Sequence, residues 1–423
     1  MRTRTARLRV THRACTTDAQ ALYPHVVQRG LGHQGMRFGT NLLTGAPFIY
    51  DPWTLYETGQ LHDPCLLTIG AKDAGKSANL KSQVIRQRYF GRRAEIIERK
   101  GEYASTVDAL DGETIRLEPG HSLNPLERCG TRESRVSMLC AVVRAQLRRD
   151  ISPEEENGLA AALRAVDERH SDREVVIPDV VAELEAPSQT VADVLRLKRA
   201  DCQAAMRDCL MALVKLQEGT LAGLFDRPTS VGAGAWDNPV VCLDISRIGR
   251  YMHARDESLA LGTAVIACTA FLDARRQQRR ENGDRQHAER IVDEAWKVLS
   301  VEGVPEYLTD RVKVSRDLGD AWLLAFHKLA DLSAAGVEGS IAKRLAEGLI
   351  SECATRVLYR QEPSEIPRTA ELLDLSRTEQ QLLARLGQGV ALWHVGRRRF
   401  LVKHLLTRVD RPLINTNEGM AAW

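Results

Sequence analysis

Aromatic residues are scarce in this chain and make up 5% of its 423 residues. A protein that binds single-stranded nucleic acid by stacking bases on aromatic side chains needs more of them, so this class is disfavoured. Net charge is also nearly absent, because 59 Lys and Arg residues oppose 56 Asp and Glu residues and leave +3. A polybasic protein that coats nucleic acid is therefore disfavoured as well, although a local basic channel is not.

The cysteines and the apolar runs lack the patterns of a metal site and of a membrane span. There are nine cysteines, an odd number, and no two have C-x-x-C spacing, so we expect neither a zinc site nor a disulfide framework. The longest apolar stretch, residues 261–272, is shorter than the roughly 18 residues that cross a bilayer. We therefore expect no transmembrane segment and a reducing, cytoplasmic setting.

The N-terminal residues 1–35 show no clear periodicity. They carry arginine at positions 2, 4, 7, 9 and 13 but no apolar stretch behind them, so they do not resemble a secretory signal. A flexible basic arm is the interpretation that we favour over an uncertain start site. Arginine outnumbers lysine by 48 to 11, and a GC-rich codon usage explains this bias more simply than phosphate recognition does.

The order of apolar runs and amphipathic segments predicts an α/β fold. Residues 65–69 have the pattern of a buried parallel strand, a helix is expected over about 76–90, and residues 94–98 form a second strand. From about 132 to 227, Leu, Val, Ala and Met recur at helical spacing without a convincing strand, which predicts an all-helical insertion. Strands and helices alternate again after residue 240 and end in a β pair around Gly396.

A phosphate-binding loop is predicted at residues 70–77, whose sequence GAKDAGKS matches G-x-x-x-x-G-K-[ST]. Glycine allows the backbone to turn its N–H groups toward phosphate, and the N-terminus of the following helix attracts the same anion. In this pattern Lys76 reaches the β- and γ-phosphates of ATP and Ser77 binds Mg²⁺. The alternative is a glycine-rich turn without function. The predicted nucleotide-binding residues are Gly70, Ala71, Lys72, Asp73, Ala74, Gly75, Lys76 and Ser77.

An acid that orients Mg²⁺ and the attacking water should end another strand. Two apolar runs end in acids: residues 240–244 end in Asp244, and residues 290–294 end in Asp293 and Glu294. Two adjacent acids suit hydrolysis, because Asp293 can hold Mg²⁺ through water while Glu294 polarises the nucleophilic water. We favour this pair and expect a structural role for Asp244.

In this order the motifs resemble the ATPase domain of conjugal-transfer and type IV secretion ATPases (TraC-like), in the HerA–FtsK superfamily. Besides the phosphate loop, the resemblance rests on ERKGEY at 98–103, NPL at 124–126 and VDEAW at 292–296. An Asp-Pro-Trp segment at 51–53 is typical of the actinobacterial branch. The resemblance extends over about residues 36–420.

The resemblance implies a RecA-like P-loop motor that hydrolyses ATP at the subunit interfaces of a homo-hexameric ring. It further implies docking on a membrane-bound secretion or conjugation complex at the inner face of the cell membrane, with DNA as one candidate cargo. An arginine supplied to the neighbouring subunit corresponds to Arg316, and a sensor that is often Gln in the family corresponds to His327. A surface arginine and a structural histidine are the alternatives.

On this basis we expect four regions: a basic arm (1–35), the first part of the ATPase core (36–130), an all-α inserted subdomain (131–230) and the second part of the core (231–423). Some residues depart from the family pattern. Glu98 and Arg99 replace the usual Asp and Pro, and Asp73 would face polyphosphate unless its carboxylate points outward. Because 69 residues precede Gly70, we expect the chain to lack the large N-terminal domain of the full-sized members.

Two other functions stay open. Asp73 and His327 favour a scaffold that uses ATP for assembly and turns over little of it. A DNA translocase that acts directly on DNA is the other alternative, because four arginines on one predicted helix could form a basic patch, although a solvated helix face is the simpler interpretation. These arginines are Arg275, Arg276, Arg279 and Arg280.

Overall fold

The computed structural model describes residues 29–249, 252–327, 348 and 350–414. Most of the predicted basic arm and the chain end after residue 414 lie outside the described residues. The first strands begin at residue 36, and α/β architecture extends from there to residue 414. The α/β fold class expected from the sequence is therefore confirmed.

The described strands form one sheet of eleven, in the order β2-β1-β11-β10-β9-β3-β8-β7-β4-β6-β5. From β9 to β5 all neighbours are parallel, whereas β10, β11, β1 and β2 pair antiparallel at the other side. The strands are β1 (Met36–Asn41), β2 (Pro47–Tyr50), β3 (Leu66–Ile69), β4 (Arg93–Glu98), β5 (Glu113–Arg116), β6 (Val240–Asp244), β7 (Ala288–Val292), β8 (Asp320–Phe326), β9 (Thr355–Leu358), β10 (Val390–Val395) and β11 (Arg398–His404).

The parallel strands are covered on both faces, which explains why they are continuous apolar runs. Every residue of β3, β6, β7 and β8 is buried. Alternate residues point to opposite faces, so Leu67 and Ile69 join one apolar core while Leu66 joins the other. The predicted β pair around Gly396 is β10 and β11, and the strand Glu113–Arg116 was not predicted.

The helices cover the sheet and build a separate helical region over residues 132–217. All residues of this region are described and none is in a strand; the boundaries proposed above for the regions of the chain stay predictions. The helices are α1 (Pro52–Glu57), α2 (Lys76–Arg88), α3 (Ala104–Asp108), α4 (Arg132–Leu147), α5 (Pro153–Arg169), α6 (Ile177–Glu185), α7 (Gln189–Leu195), α8 (Arg199–Ala205), α9 (Arg207–Gln217), α10 (Ala254–Glu281), α11 (Trp296–Leu299), α12 (Val304–Leu318), α13 (Ile366–Leu373), α14 (Arg377–Leu383) and α15 (Asp410–Ile414).

Two sets of hydrogen bonds stabilise the helical region. Ser152 caps α5 by accepting a hydrogen bond from the Glu155 amide while the Glu155 carboxylate accepts one from the Ser152 amide. The buried Asn124 donates from its side chain to the Val175 carbonyl at 2.9 Å and accepts from the Leu126 amide. The Asn-Pro-Leu segment therefore ties the chain that follows β5 to the helical region.

Helix α10 is the longest of the described helices and crosses the whole core. It is 28 residues long and is the one described helix long and apolar enough to span a bilayer, but 83% of its apolar window is buried inside the protein. Its packing against α4, α11 and α12 accounts for its apolar composition.

The basic patch and the solvated face considered for the arginines of α10 are both wrong. Arg276 is fully buried and pairs with Asp320 at 2.9 Å, and Arg275 pairs with Glu127 at 2.8 Å. Arg279 pairs with Glu95, and Arg280 donates to the Leu318 carbonyl. The sequence pattern alone did not reveal these acids, because all of them lie far away along the chain or on other elements.

Candidate functional site

Four neighbouring parallel strands end at one edge of the sheet, and each delivers part of the candidate site. In the order β3-β8-β7-β4, their carboxyl ends lead into the phosphate loop, into His327, into Asp293 and Glu294, and into the segment 98–103. Carboxyl ends of parallel strands form a crevice of this kind wherever neighbouring connections diverge. The topology thus gathers residues that are more than 200 positions apart.

The two glycines of the phosphate loop are required by its geometry. A Cβ on Gly70 would lie 2.5 Å from the Tyr359 Cβ, so only glycine allows β3 to approach the neighbouring strand end this closely. Gly75 precedes α2 with φ of 118°, which an L side chain rarely adopts. Asp73 also has a positive φ, 59°, in the left-handed region that Asp tolerates better than most residues.

Lys76 lies at the centre of the loop and is buried. Its ammonium donates to the carbonyls of Gly70 at 2.7 Å and Ala71 at 2.8 Å, and its third contact is the Nδ1 atom of His327 at 3.1 Å. Burial lowers the pKa of Lys76 to about 8, although the Asp293 carboxylate opposes this shift. Burial destabilises the charged ammonium of Lys76, and a bound phosphate group would stabilise it.

The loop and the start of α2 fit a polyphosphate. The first hydrogen bond of the helix runs from the Asn79 amide to the Gly75 carbonyl, so the amides of residues 76–78 precede the helical bonding pattern and are available to an anion. They face a cavity of about 420 Å³, which Lys76, Ser77 and His327 help to line. Asp73 is exposed and lines the rim of the same cavity.

Asp293 and Glu294 follow β7, as predicted. Asp293 accepts a hydrogen bond from the Glu294 amide at 2.9 Å, and burial raises the pKa of Asp293. Glu294 has a left-handed backbone, with φ of 57°, and its side chain is 7% exposed. Burial disfavours its charge, but hydrogen bonds from His327, Lys100 and Arg99 outweigh burial and lower the pKa of Glu294 well below its usual range.

His327 follows β8 and lies between the loop and the acid. Its Nε2 atom is 3.1 Å from the Glu294 Oε1 atom, while Nδ1 contacts Lys76. A charged lysine can only donate, so Nδ1 accepts and Nε2 carries the proton that Glu294 accepts. His327 therefore joins the two halves of the predicted catalytic set in one chain of hydrogen bonds.

The segment after β4 contributes two cations that the sequence analysis did not assign to the site. Arg99 donates to Glu294 Oε2 at 2.7 Å, and Lys100 contacts Glu294 Oε1 at 2.6 Å. Glu98 holds the segment in place, because its carboxylate accepts hydrogen bonds from the amides of Lys100 and Gly101. The only sequence signal was the replacement of the expected Asp-Pro by Glu98 and Arg99.

Asp244 and Arg316 lie away from this cluster. Asp244 follows the prediction of a structural role, since it accepts from the Ser246 amide at 2.8 Å and pairs with Arg116 at 3.2 Å. Arg316 is exposed in the last turn of α12 and contacts the His62 carbonyl at 3.4 Å, close to the start of β3. The phosphate loop follows the other end of β3, so the chain does not bring Arg316 to its own cavity.

The C-terminal segment covers part of the cavity, which the sequence did not indicate. Leu406, Arg411 and Ile414 line it together with Gln388. Helix α15 is held there because Asp410 pairs with Arg86 of α2 at 3.1 Å and the Leu413 carbonyl accepts from Thr106 at 2.9 Å. Residues 406–414 thus form part of the cavity wall.

Solved structures share this fold. VirB4 of Thermoanaerobacter pseudethanolicus superposes with a TM-score of 0.70 at 18% identity, over 90% of this chain and 100% of that one. The bacterial conjugative coupling protein TrwB gives a TM-score of 0.58 at 13% identity, over 89% of this chain and 91% of that one. TrwB in complex with ADP and Mg²⁺ gives 0.56 at 15% identity, over 90% of this chain and 98% of that one.

No protein-family model matches the sequence, and no curated protein has a significantly similar sequence. At identities this low, the likeness to VirB4 and TrwB shows the fold. It is the fold that the resemblance in the motifs led us to expect.

Proposed function

We propose that the protein hydrolyses ATP with Mg²⁺ at the site between the phosphate loop and β7. The observation that carries this proposal is the continuous contact from Lys76 through His327 to Glu294, in which Lys76 and His327 line the cavity beside the phosphate loop. A glycine-rich turn without function would not bury a lysine and join it through a histidine to the acid that follows another strand. TrwB, which shares the fold, was solved with ADP and Mg²⁺.

Each residue has a separate task in this proposal. The amides of the loop and Lys76 bind the β- and γ-phosphates, and Asp293 and Ser77 would hold Mg²⁺. When bound, the metal neutralises charge that develops on the phosphates. Glu294 accepts a hydrogen bond from the attacking water and orients it, and His327 positions Glu294 relative to Lys76.

The test compares two variants of the catalytic set with the wild-type protein. Lys76→Ala removes the phosphate contact, and we expect neither tight ATP binding nor turnover. Glu294→Gln keeps the shape of the side chain but removes its charge, so ATP should bind while turnover falls by about 10² to 10³. The proposal fails if purified wild-type protein shows no ATP turnover that depends on Lys76.

A low-turnover scaffold is the second candidate, and one observation favours it. Both oxygens of Glu294 are engaged by cations, Arg99 on one and Lys100 on the other. If wild type and Glu294→Gln turn over ATP equally slowly while assembly still needs ATP, the scaffold hypothesis replaces the hydrolase. Size-exclusion chromatography with and without ATP measures the assembly.

We further propose that the ATPase works as a homo-hexameric ring on a membrane-bound conjugation or type IV secretion complex, in the cytoplasm at the inner face of the membrane. The motif resemblance and the fold shared with VirB4 and TrwB support this assignment. A superlinear rise of ATPase rate with protein concentration is expected if the sites form between subunits. A rate that stays proportional to concentration over the whole range would contradict the ring.

The same assay decides whether DNA is acted on directly. Arg275, Arg276 and Arg279 are paired with acids of other elements and Arg280 donates to the Leu318 carbonyl, so these four residues do not form a basic surface for a DNA translocase. We expect little stimulation by single- or double-stranded DNA in the absence of a partner complex. Stimulation that falls steeply with salt would instead favour direct action on DNA.

A further inference from the structure

Arg99 joins two carboxylates that belong to different parts of the molecule. Its Nη1 atom donates to Glu294 Oε2 at 2.7 Å, and its Nη2 atom donates to Glu257 Oε1 at 2.8 Å. Glu294 belongs to the candidate site, whereas Glu257 lies in the first turn of α10. The three side chains are largely shielded, with exposed fractions of 23% for Arg99, 22% for Glu257 and 7% for Glu294.

We propose that Arg99 is a positioning residue that restrains Glu294, and that Glu257 competes for the same guanidinium and so sets how strongly Glu294 is held. This inference rests on the proposed ATP hydrolysis and adds a control of that same site. The proposal also gives a role to Arg99 as a departure from the motif pattern, because the family that the chain resembles usually has proline at this position.

The restraint follows from the hydrogen bonds that Glu294 already makes. One carboxylate oxygen contacts Lys100 and His327, and the other accepts from Arg99. A carboxylate oxygen has two acceptor sites, so Oε1 is filled by Lys100 and His327, and a water that is oriented for attack binds Oε2, where Arg99 already takes one site. Arg99 therefore lies on the oxygen that is left for the water, where its charge weakens the carboxylate as an acceptor and restrains its orientation.

Bound nucleotide can loosen only one of the two cationic contacts directly. Lys100 lines the cavity with Lys76 and Ser77, so its ammonium can turn toward a phosphate and leave Glu294. Arg99 is not among the residues that line this cavity; its second partner is Glu257. The contact of Arg99 with Glu294 therefore depends on Glu257 of α10 and not directly on the nucleotide.

Helix α10 connects this control to the rest of the molecule. Its first turn holds Glu257 beside Arg99, and Lys297 of α11 lies 3.6 Å from the same carboxylate. Its body packs along α4 of the helical region. A shift of α10 that brings Glu257 closer to Arg99 would draw the guanidinium from Glu294, since the two carboxylates share one cation.

Two single variants should change the rate in opposite directions. Arg99→Ala frees one oxygen of Glu294, and kcat should rise about fivefold while KM for ATP stays within about twofold. Glu257→Gln removes the competing charge and commits Arg99 to Glu294, so kcat should fall about threefold. The double variant should behave like Arg99→Ala, because Glu257 acts only through Arg99.

Two further variants serve as controls. Arg99→Lys cannot donate to both carboxylates from a planar fork, so its kcat should lie between those of wild type and Arg99→Ala. Arg116→Ala breaks a comparable ion pair at the end of a nearby strand, with Asp244, but does not touch Glu294. It should leave kcat unchanged, and thermal unfolding of every variant shows whether it is folded.

The outcomes separate this inference from the proposed function. Wild-type protein without Lys76-dependent ATP turnover refutes both. Turnover in wild type combined with a lower kcat or a raised KM in Arg99→Ala overturns the inference alone, as does a Glu257→Gln effect that persists in the double variant. If Arg99→Ala does not fold, the opposite shifts of Arg99→Lys and Glu257→Gln decide in the same way.

Discussion

His327 bridges Lys76 and Glu294, with 3.1 Å from its Nδ1 to the lysine Nζ and 3.1 Å from its Nε2 to Glu294 Oε1. The bridge requires a neutral imidazole, because Nδ1 has to accept from the ammonium. When phosphate draws Lys76 away, Nδ1 loses a donor while Nε2 still donates to Glu294. Nucleotide binding and the position of the acid are thereby linked through one side chain.

The first prediction concerns this bridge. His327→Ala should lower kcat by about tenfold to a hundredfold, because Glu294 loses the donor that orients it, while ATP binding is largely kept. His327→Gln should restore much of the rate, since an amide can accept from Lys76 with its oxygen and donate to Glu294 with its nitrogen. Steady-state ATPase kinetics and binding of a fluorescent nucleotide measure the two effects.

A purely structural histidine gives a different pattern. Both variants would then lose thermal stability in proportion to their loss of activity, and glutamine would not restore the rate. Equal kcat values for wild type and His327→Ala would show that the bridge has no part in hydrolysis.

Much of this arrangement could be predicted from local sequence. The run 65–69 before GAKDAGKS predicted the strand and the helix on either side of the loop, and the acids after residue 292 were placed by their position at a strand end. These signals are local, since periodicity and glycine positions report on neighbouring residues. The all-helical region after residue 132 was recognised for the same reason.

The ion pairs could not be predicted, because they join distant parts of the chain. Arg99 and Glu257 are 158 positions apart, and Arg279 and Glu95 are 184 apart. A pattern of four arginines on one helix therefore suggested exposed charge, while the fold pairs three of these side chains with acids from other elements and Arg280 with the Leu318 carbonyl. Asn124 likewise matched a motif, and only the structure shows that it supports the helical region.

Asp73 provides the second prediction. Its carboxylate lies at the rim of the cavity and repels polyphosphate, so Asp73→Asn should lower KM for ATP about threefold with little change in kcat. Asparagine also tolerates the left-handed backbone at this position, so the loop keeps its shape. ATPase kinetics at low and at high ionic strength measure the effect.

Lys72 is the matched control for this charge. It lines the same cavity, so Lys72→Gln should raise KM for ATP. Both effects should shrink at high salt, because exposed charges are screened. An unchanged KM in Asp73→Asn at low salt would show that its carboxylate does not act on the nucleotide.

Two buried glutamates on neighbouring strands provide the third prediction, which concerns stability. Burial raises the pKa of Glu289 to about 8. Its Oε1 atom accepts a hydrogen bond from the neutral Gln83 amide at 3.2 Å, and its Oε2 atom has no hydrogen-bond partner within the described residues. Between pH 4.5 and about 8 the unfolded chain releases this proton while the folded protein keeps it. Glu289 therefore costs stability increasingly as pH rises through this window.

Glu289→Gln should remove that cost and keep the contact with Gln83. We expect little difference from wild type near pH 4.5 and a gain of about 3 kcal/mol near pH 8, seen as a higher Tm in thermal unfolding. Glu95→Gln is the contrasting variant. Burial opposes the charge of Glu95, but its ion pairs with Arg290 and Arg279 prevail and lower its pKa.

The stability that Glu95 contributes is present above pH 4.5 and is lost as pH falls through its lowered pKa. Glu95→Gln should therefore lower the free energy of unfolding at neutral pH by roughly 3 kcal/mol. This loss is measured as a lower Tm. Two variants that shift Tm in the same direction at pH 8 would contradict this assignment of charges.

Arg316 provides the last prediction: because it lies away from its own cavity, any part that it takes in hydrolysis must be at the site of another subunit. Arg316→Ala and Lys76→Ala should each abolish most ATP turnover when assayed alone. In a ring assembled from an equal mixture, an interface is complete where an Arg316→Ala subunit supplies the phosphate loop and a Lys76→Ala subunit supplies the arginine. Random mixing makes about a quarter of the interfaces complete, so activity should return to about that fraction of wild type. An arginine that acts within its own subunit cannot be rescued in this way, and one that is only a surface residue leaves Arg316→Ala active by itself.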